Sequence, residues 1–444
     1  MEQQHWLRDF SRYTILSVLG TLGVSCYILA DTFFVSKGLG TNGLTALNLA
    51  IPVYNFIHGT GLMLGMGGAT RFSICKSQEK VREAQIVYTN TLYLALIFSV
   101  VFVLIGFLFS RQMAILLGAS ADISEMTNTY LRWLLLFSPA FILNDVFLCF
   151  VRNDDSPQLS MIAMLVGSLS NILLDYIFIF PGGMGIFGAV FATGLSPVIS
   201  MVMMLPHWVK KKSTLRLVKT NIKKEIVKQE LSLGFPSLIA QLSSGIVMIT
   251  FNAMILKLAG NTGVAAYGVV ANISLVIVAV YTGIAQGMQP LVSTGYGAGN
   301  NRQTKTILKY ALVTTLTVSG IIYLLIFSFA EPITAVFNSE RNAELQQIAV
   351  SGLKWYFISI PFVGYNMNLA TFFTSIEKAL PAHILSILRG LILIIPMAFL
   401  LSALWQMTGV WLAYPVTEFL TALLGFVMIN IKNKQKGTEK GAAH

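Results

Sequence analysis

Asp31, Asn171 and Asp175 stand in stretches of this 444-residue chain that are otherwise almost wholly apolar. An acidic side chain near the middle of an apolar helix costs about 2.5–3.5 kcal/mol on insertion scales, so one is normally kept for an ion pathway or a proton relay. Asn171 and Asp175 are spaced i, i+4 and therefore share one face of a helix. If the helix carrying Asp31 meets that face, two carboxylates share a low-dielectric pocket. They cannot both be ionised without strong repulsion, so such a pair binds a proton. The same oxygens, with the Asn171 amide and backbone carbonyls, could instead hold sodium. The expected chemistry is reversible binding of H+ or Na+ rather than catalysis, with no further cofactor.

Other polar side chains interrupt apolar stretches elsewhere. Tyr54, Asn55, Gln241, Ser244, Asn252, Asn272, Gln286, Gln289 and Asn366 are candidate walls of a substrate cavity, although such groups more often bond one helix to another. Glu418 is also placed within an apolar run, with no partner evident from the sequence. Arg132, Lys354 and Arg389 lie close enough to expected helix ends to snorkel toward water. Cys26, Cys75 and Cys149 show no CxxC spacing and read as small apolar residues, not as a disulfide or a zinc site.

The elements that must position these residues follow from composition. Of all residues, 55% are hydrophobic and 11% charged, and the mean hydropathy is +0.71. Soluble domains carry roughly 25% charged residues, so the solvent here is lipid. Apolar runs read as twelve spans, over 13–36, 44–70, 86–110, 129–152, 159–181, 186–209, 232–258, 264–292, 306–330, 350–376, 382–404 and 407–431. The net charge of +11 is gathered on alternate loops. One side holds Arg8 and Arg12, the cluster from Arg71 to Arg82, Arg152, the basic linker 210–230, Arg302 to Lys309, Lys378 and the tail lysines. The other holds only Lys37, Arg111, Lys257 and Arg341. That asymmetry is the footprint of membrane orientation, with both termini cytoplasmic, and it argues against nucleic acid as a partner. No cleavable leader is expected before the first apolar run.

The chain also repeats itself. At a shift of 220, Lys37 meets Lys257, Gly40 meets Gly260, Gly43 meets Gly263 and Gly67 meets Gly287. Trp133, Pro139 and Asn144 recur as Trp355, Pro361 and Asn366; Pro157, Gly185 and Thr193 recur as Pro381, Gly409 and Thr417. Six spans per copy make a parallel repeat, a design that places substrate between the halves near the midplane. The expected division is an amino-terminal lobe 1–209, a cytoplasmic linker 210–230, a carboxyl-terminal lobe 231–431 and a cytoplasmic tail 432–444, whose last residues read as an expression scar. Function should show where only one copy keeps a costly residue. Asp31 aligns with Phe251, Asp175 with Phe399 and Asn171 with Ile395, so only the first copy carries the polar set.

There is no GxxxxGK[ST] loop, no HExxH and no GxSxG, so neither direct ATP use nor an enzyme is expected. The chain does, however, resemble the multidrug and toxic compound extrusion (MATE) family over essentially its whole length. Ala30-Asp31-Thr32-Phe33-Phe34-Val35, Gly59 to Thr70 and Arg152-Asn153-Asp154 carry the resemblance. So do Asn171-Ile172-Leu173-Leu174-Asp175, Gly185-Ile186-Phe187-Gly188-Ala189 and Gly287-Met288-Gln289-Pro290 leading to Gly295 through Asn300.

The resemblance implies a V-shaped, two-lobed all-α membrane protein that exchanges amphipathic organic cations for protons or sodium by alternating access. It implies that Asp31, Asn171 and Asp175 match the family's amino-lobe cation site. Another branch places acidic residues in helices seven and ten; Gln241 and Asn366 occupy those stretches here, so a carboxyl-half sodium site is not expected. The pattern looks most like the bacterial DinF/MepA-like branch, which implies the cytoplasmic membrane and drug-like organic cations as partners. A monomer is expected. The rival readings are a flippase for lipid-linked precursors, which would need basic clusters for pyrophosphate, and a passive channel or scaffold.

Overall fold

The computed structural model describes residues 2–209, 213–338 and 341–441, with side chains described up to 430. Lys210, Lys211 and Lys212 of the expected linker lie outside the described residues, as do the last three residues of the tail; the tail lysines lie outside the described side chains. Apart from short connections and the non-helical segment 213–223, these residues are helical: α1 (Glu2–Ser77), α2 (Val81–Leu116), α3 (Ala121–Leu136), α4 (Ser138–Asn153), α5 (Pro157–Ile179), α6 (Gly185–Met204) and a short α7 (Pro206–Val209) come first. They are followed by α8 (Lys224–Gly297), α9 (Asn301–Phe337), α10 (Ala343–Tyr356), α11 (Ile360–Ser375), α12 (Ala379–Ile387) and α13 (Ile394–Gly441).

Among the described residues, 8 segments are long and apolar enough to cross a membrane, or 9 if the bent pair α3 and α4 is one span. Three of them are broken inside. α1 breaks at Gly40 (φ 65°, ψ −158°) and α8 at Gly260 (φ 60°, ψ −156°). The segment running through α12 and α13 breaks at Trp405 and Gln406. Counting each broken segment as two brings the nine to the twelve spans expected.

Gly40 and Gly260 are repeat partners, and the reason for glycine is the same at both. A Cβ there would meet nothing within 4 Å, so space is not the constraint. The backbone conformation is, because φ and ψ in that region are essentially closed to residues with a side chain.

Two expected spans are not single rods. The helix expected over 129–152 begins at Ala121 and is bent by 46° between α3 and α4, ahead of Pro139. Its repeat counterpart breaks between α10 and α11 through a 3₁₀ turn at Phe357–Ser359, ahead of Pro361. Proline lacks a donor and disfavours helix in the residue before it, so the repeated proline repeats the bend.

Packing divides the chain into two units. The first comprises Met1–Gly245, Thr282–Ile307 and Thr374–Ile376; the second comprises Ile246–Tyr281, Leu308–Phe373 and Glu377–His444. Both ends of α8 thus pack in the first unit. A Cβ at Gly234 would strike the Met63 backbone, one at Gly67 the Glu230 backbone, and one at Gly287 the Thr14 backbone. Glycine lets these helices touch main chain to main chain, the usual device where lipid supplies no hydrophobic drive between helices.

Candidate functional site

The first unit brings the amino-half polar set together. α1 lies along α5, because a Cβ at Gly20, Gly23 or Gly38 would collide with Met164, Leu165 or Ile179. Phe34 seals the far end of that contact against Tyr176 and Phe180. Asp31 on α1 and Asn171 and Asp175 on α5 are all buried. The carboxyl groups of Asp31 and Asp175 face each other within hydrogen-bonding reach. The protein offers no partner to Asp31 Oδ1, to either Asp175 oxygen, or to either polar atom of the Asn171 amide.

A buried polar atom left unpaired costs about 1–3 kcal/mol, and here five such atoms converge. Two acceptor-only carboxylates cannot bond each other; a proton between them can, and so can a cation ringed by their oxygens and the Asn171 carbonyl. The donor set therefore fits either ion.

Tyr130 on α3 completes this pocket. It is 5% exposed, shares a hydrogen bond with Thr193 of α6, and lies within electrostatic reach of both carboxylates. Nothing in the sequence marks it, since a buried tyrosine in an apolar run looks like any other core aromatic. Tyr54 does join the neighbourhood: its hydroxyl is 2.7 Å from that of Tyr27, and its ring stacks on His58. His58 in turn pairs with Asp145 of α4. The repeat could have exposed this second pair, because His58 aligns with Val278 and Asp145 with Met367, the same asymmetry that singled out Asp31.

The remaining candidate wall residues are dispersed. Asn55 donates to Ser244 at 3.4 Å, and the Ser244 hydroxyl is bonded to the Gln241 carbonyl. Asn252 is half-buried and Asn272 exposed, both in the second unit. Gln286 is buried with its Oε1 unpartnered. Gln289 is fully enclosed, accepting from Asn153 at 2.9 Å and donating to Thr70 at 3.0 Å, so it bonds helices together instead of facing a ligand. Asn366 likewise donates to the carboxylate of Glu418 at 2.7 Å and to its carbonyl at 2.9 Å.

Glu418 proves to have partners after all. Arg389, expected to snorkel, instead turns inward and donates from Nε to Glu418 Oε1 at 2.9 Å, with a second nitrogen at 2.8 Å. A single π-helical turn, Leu388–Ile392, carries Arg389. Such turns re-aim a side chain relative to the regular helix, and they are frequent at functional sites.

At the basic end of the first unit, Asp154 accepts from Lys76 (2.7 Å), His207 (2.9 Å), Ser213 (3.2 Å) and the backbone N–H of Thr214 (2.9 Å). Burial alone would raise its proton affinity. The bonds from His207 and Lys76, the Lys76 charge and the Thr214 amide outweigh that and hold the carboxyl well below the usual carboxylate range. Asp154 and its neighbour Asn153, which accepts from Ser73 at 2.6 Å, thus fasten this end of the helices. A 540 Å³ groove lined by His5, Arg8, Asp9, Arg12 and Gln158 lies several turns from Asp31 and contains none of the carboxyl pair.

Comparison with known proteins agrees with this architecture. The MatE family model matches residues 17–177 and 236–400. Multidrug export protein MepA of Staphylococcus saprophyticus is 23% identical over 99% of this chain and 97% of its own length. MepA of Staphylococcus aureus is 24% identical over 96% of this chain and 94% of its own. A solved structure described as the outward-facing conformation of a multidrug resistance MATE family transporter superposes with a TM-score of 0.90 and 26% identity, covering 96% of this chain and 95% of that one. A MOP superfamily transporter from Pyrococcus furiosus, described as having a binding pocket of reversed polarity, gives 0.89 and 26% over the same shares. With bacterial relatives and a run of apolar helices, this is a multi-pass protein of a bacterial cytoplasmic membrane. The two matched stretches fall one in each copy of the repeat and together cover most of the chain, which belongs to the MatE family of membrane transporters.

Proposed function

We propose that this transporter exports amphipathic organic cations in exchange for protons, working as a monomer with both termini on the cytoplasmic side. The observation that carries the reading is the Asp31–Asp175 pair with Asn171: five buried polar atoms converge without a protein partner. A site that binds an ion reversibly must leave its ligand atoms unengaged by the protein, and this set does. Protons are favoured over sodium because the two carboxyls reach each other directly, the arrangement that one shared proton satisfies. Drug-like cargo is supported by the multidrug export names of the MepA relatives. Moving one charge down 100 mV yields about 2.3 kcal/mol, enough for a concentration ratio of roughly 50-fold.

The test is ethidium export from proteoliposomes under an imposed pH or sodium gradient, comparing wild type with Asp31→Asn. Gradient-driven export that the substitution reduces at least about tenfold is expected, since the coupling ion loses its charged ligand. The gradient that works names the ion. Export that survives Asp31→Asn unchanged overturns the coupling site. No gradient-driven export of ethidium by folded protein moves a lipid-linked precursor flippase to first place, and gradient-independent leak points to a passive channel.

A further inference from the structure

A second ionisable pair lies beside the first and is not used in the exchange described above. His58, beyond the Gly40 break of α1, places Nδ1 2.8 Å from Asp145 Oδ2 on α4. Asp145 is 5% exposed and the His58 side chain 24%. The approach depends on small residues: a Cβ at Gly61 would strike the Asp145 carboxyl, and one at Gly65 would press on the Asp145 carbonyl and on Cys149. Two glycines one turn apart let α4 settle onto α1 and bring the carboxyl to the ring.

The pair is joined to the Asp31 site by aromatic hydroxyls. Tyr54 stacks on the His58 imidazole, with ring centres 5.9 Å and planes 12° apart. Its hydroxyl is 2.7 Å from that of Tyr27, one turn before Asp31. Tyr27 and Tyr54 both lie within electrostatic reach of Asp31 and of Asp145. The other titratable groups facing this region are Tyr130 from α3, Asp175 from α5, and Cys149 with Arg152 behind it on α4. Among the described residues, His58 and Asp145 are each other's direct ionic partners.

The Glu418 pair carries a permanent cation in Arg389, which does not lose its proton in proteins. Histidine is the one cationic side chain whose charge is readily lost near neutral pH. In a low-dielectric interior, gain or loss of charge at one pair acts strongly on the other.

We propose that His58 and Asp145 form a second proton-binding site, coupled to the Asp31–Asp175 site across the Tyr27–Tyr54 hydroxyl pair, and that binding of an organic cation releases one proton from each. This rests on the exchange reading above. The balance is simple. The His58–Asp145 pair with its proton, as imidazolium and carboxylate, has net charge zero; release to water leaves imidazole and carboxylate at −1. The Asp31–Asp175 pair goes from −1 with one shared proton to −2. The incoming cation compensates for part of the charge exposed.

Purified protein in weakly buffered detergent, with a pH-sensitive dye, reads the count directly on addition of ethidium. Wild type is expected to release about two protons per ethidium bound near neutral pH, and His58→Gln and the isosteric Asp145→Asn about one each. Wild-type counts in both variants overturn the second site. If Asp31→Asn lowers the count while the His58 and Asp145 variants do not, only the second site falls; if Asp31→Asn also leaves it unchanged, the exchange reading falls with it. Should the His58 and Asp145 variants not fold, Gly61→Ala keeps both groups while pushing Asp145 off the ring. It is expected to move the pH midpoint of release by about one unit, and an unmoved midpoint overturns the proposal.

Discussion

Two buried carboxylate centres, one in each packing unit, meet the same apolar surroundings in opposite ways. Asp31 and Asp175 confront each other, like charge to like, with no protein donor on most of their oxygens. Glu418 has a guanidinium on one oxygen and an amide on the other, from Arg389 and Asn366. The first arrangement needs an exchangeable ion to be tolerable; the second is already complete. On the exchange proposed above, coupling falls to the unit whose charges the protein leaves uncompensated, and the compensated centre holds its own unit together.

By that contrast, breaking the complete centre should cost the most. Arg389→Ala leaves Glu418 buried and unpaired, and breaking such a pair destabilises by about 3–5 kcal/mol. Size-exclusion profiles and thermal melts in detergent should show loss of folded protein, with Arg389→Met combined with Glu418→Leu recovering much of it. A well-folded Arg389→Ala protein would mean that the pair is not structural.

The opposite sign is expected at the incomplete centre. Asp175→Asn removes a like charge and supplies a donor, so the melting temperature should rise, by about 1–2 kcal/mol of stability, while gradient-driven ethidium export is lost. A fall in stability would show that Asp175 is a structural residue.

The smallest effect belongs to Asp154, a carboxylate at the water's edge that the protein supplies with donors. Its depressed proton affinity contributes stability above the ordinary carboxylate range, near pH 4, and that stability is lost as pH falls through the lower folded value. Between pH 7 and 5 the difference in melting temperature between wild type and Asp154→Asn should stay constant. From pH 5 down to 3, wild type should lose melting temperature more steeply than Asp154→Asn, which begins lower by about 5 °C. Parallel pH profiles would remove Asp154 as the clamp on Lys76, His207 and Thr214.

Much of this is legible in the sequence. The breaks at Gly40 and Gly260 fall between spans that apolar length already separates, whereas the bends ahead of Pro139 and Pro361 fall inside stretches that read as single spans. Apolar length determined the number of spans, although their ends shifted, as at Ala121. Asymmetry between the copies picked out Asp31, Asn171 and Asp175, since an acidic residue in lipid is costly wherever it sits. Partners were another matter. Whether α1 meets α5, whether Arg389 snorkels or turns inward on its π turn, and whether His58 finds Asp145 depend on which helix faces pack and in what register. Hydropathy carries no such information, because within lipid every apolar face looks alike and small residues and polar contacts choose among them. Sequence determined where the costly groups are; only tertiary structure decided which are left unpaired and which are neutralised, because compensation is a property of pairs that the chain brings together from far apart.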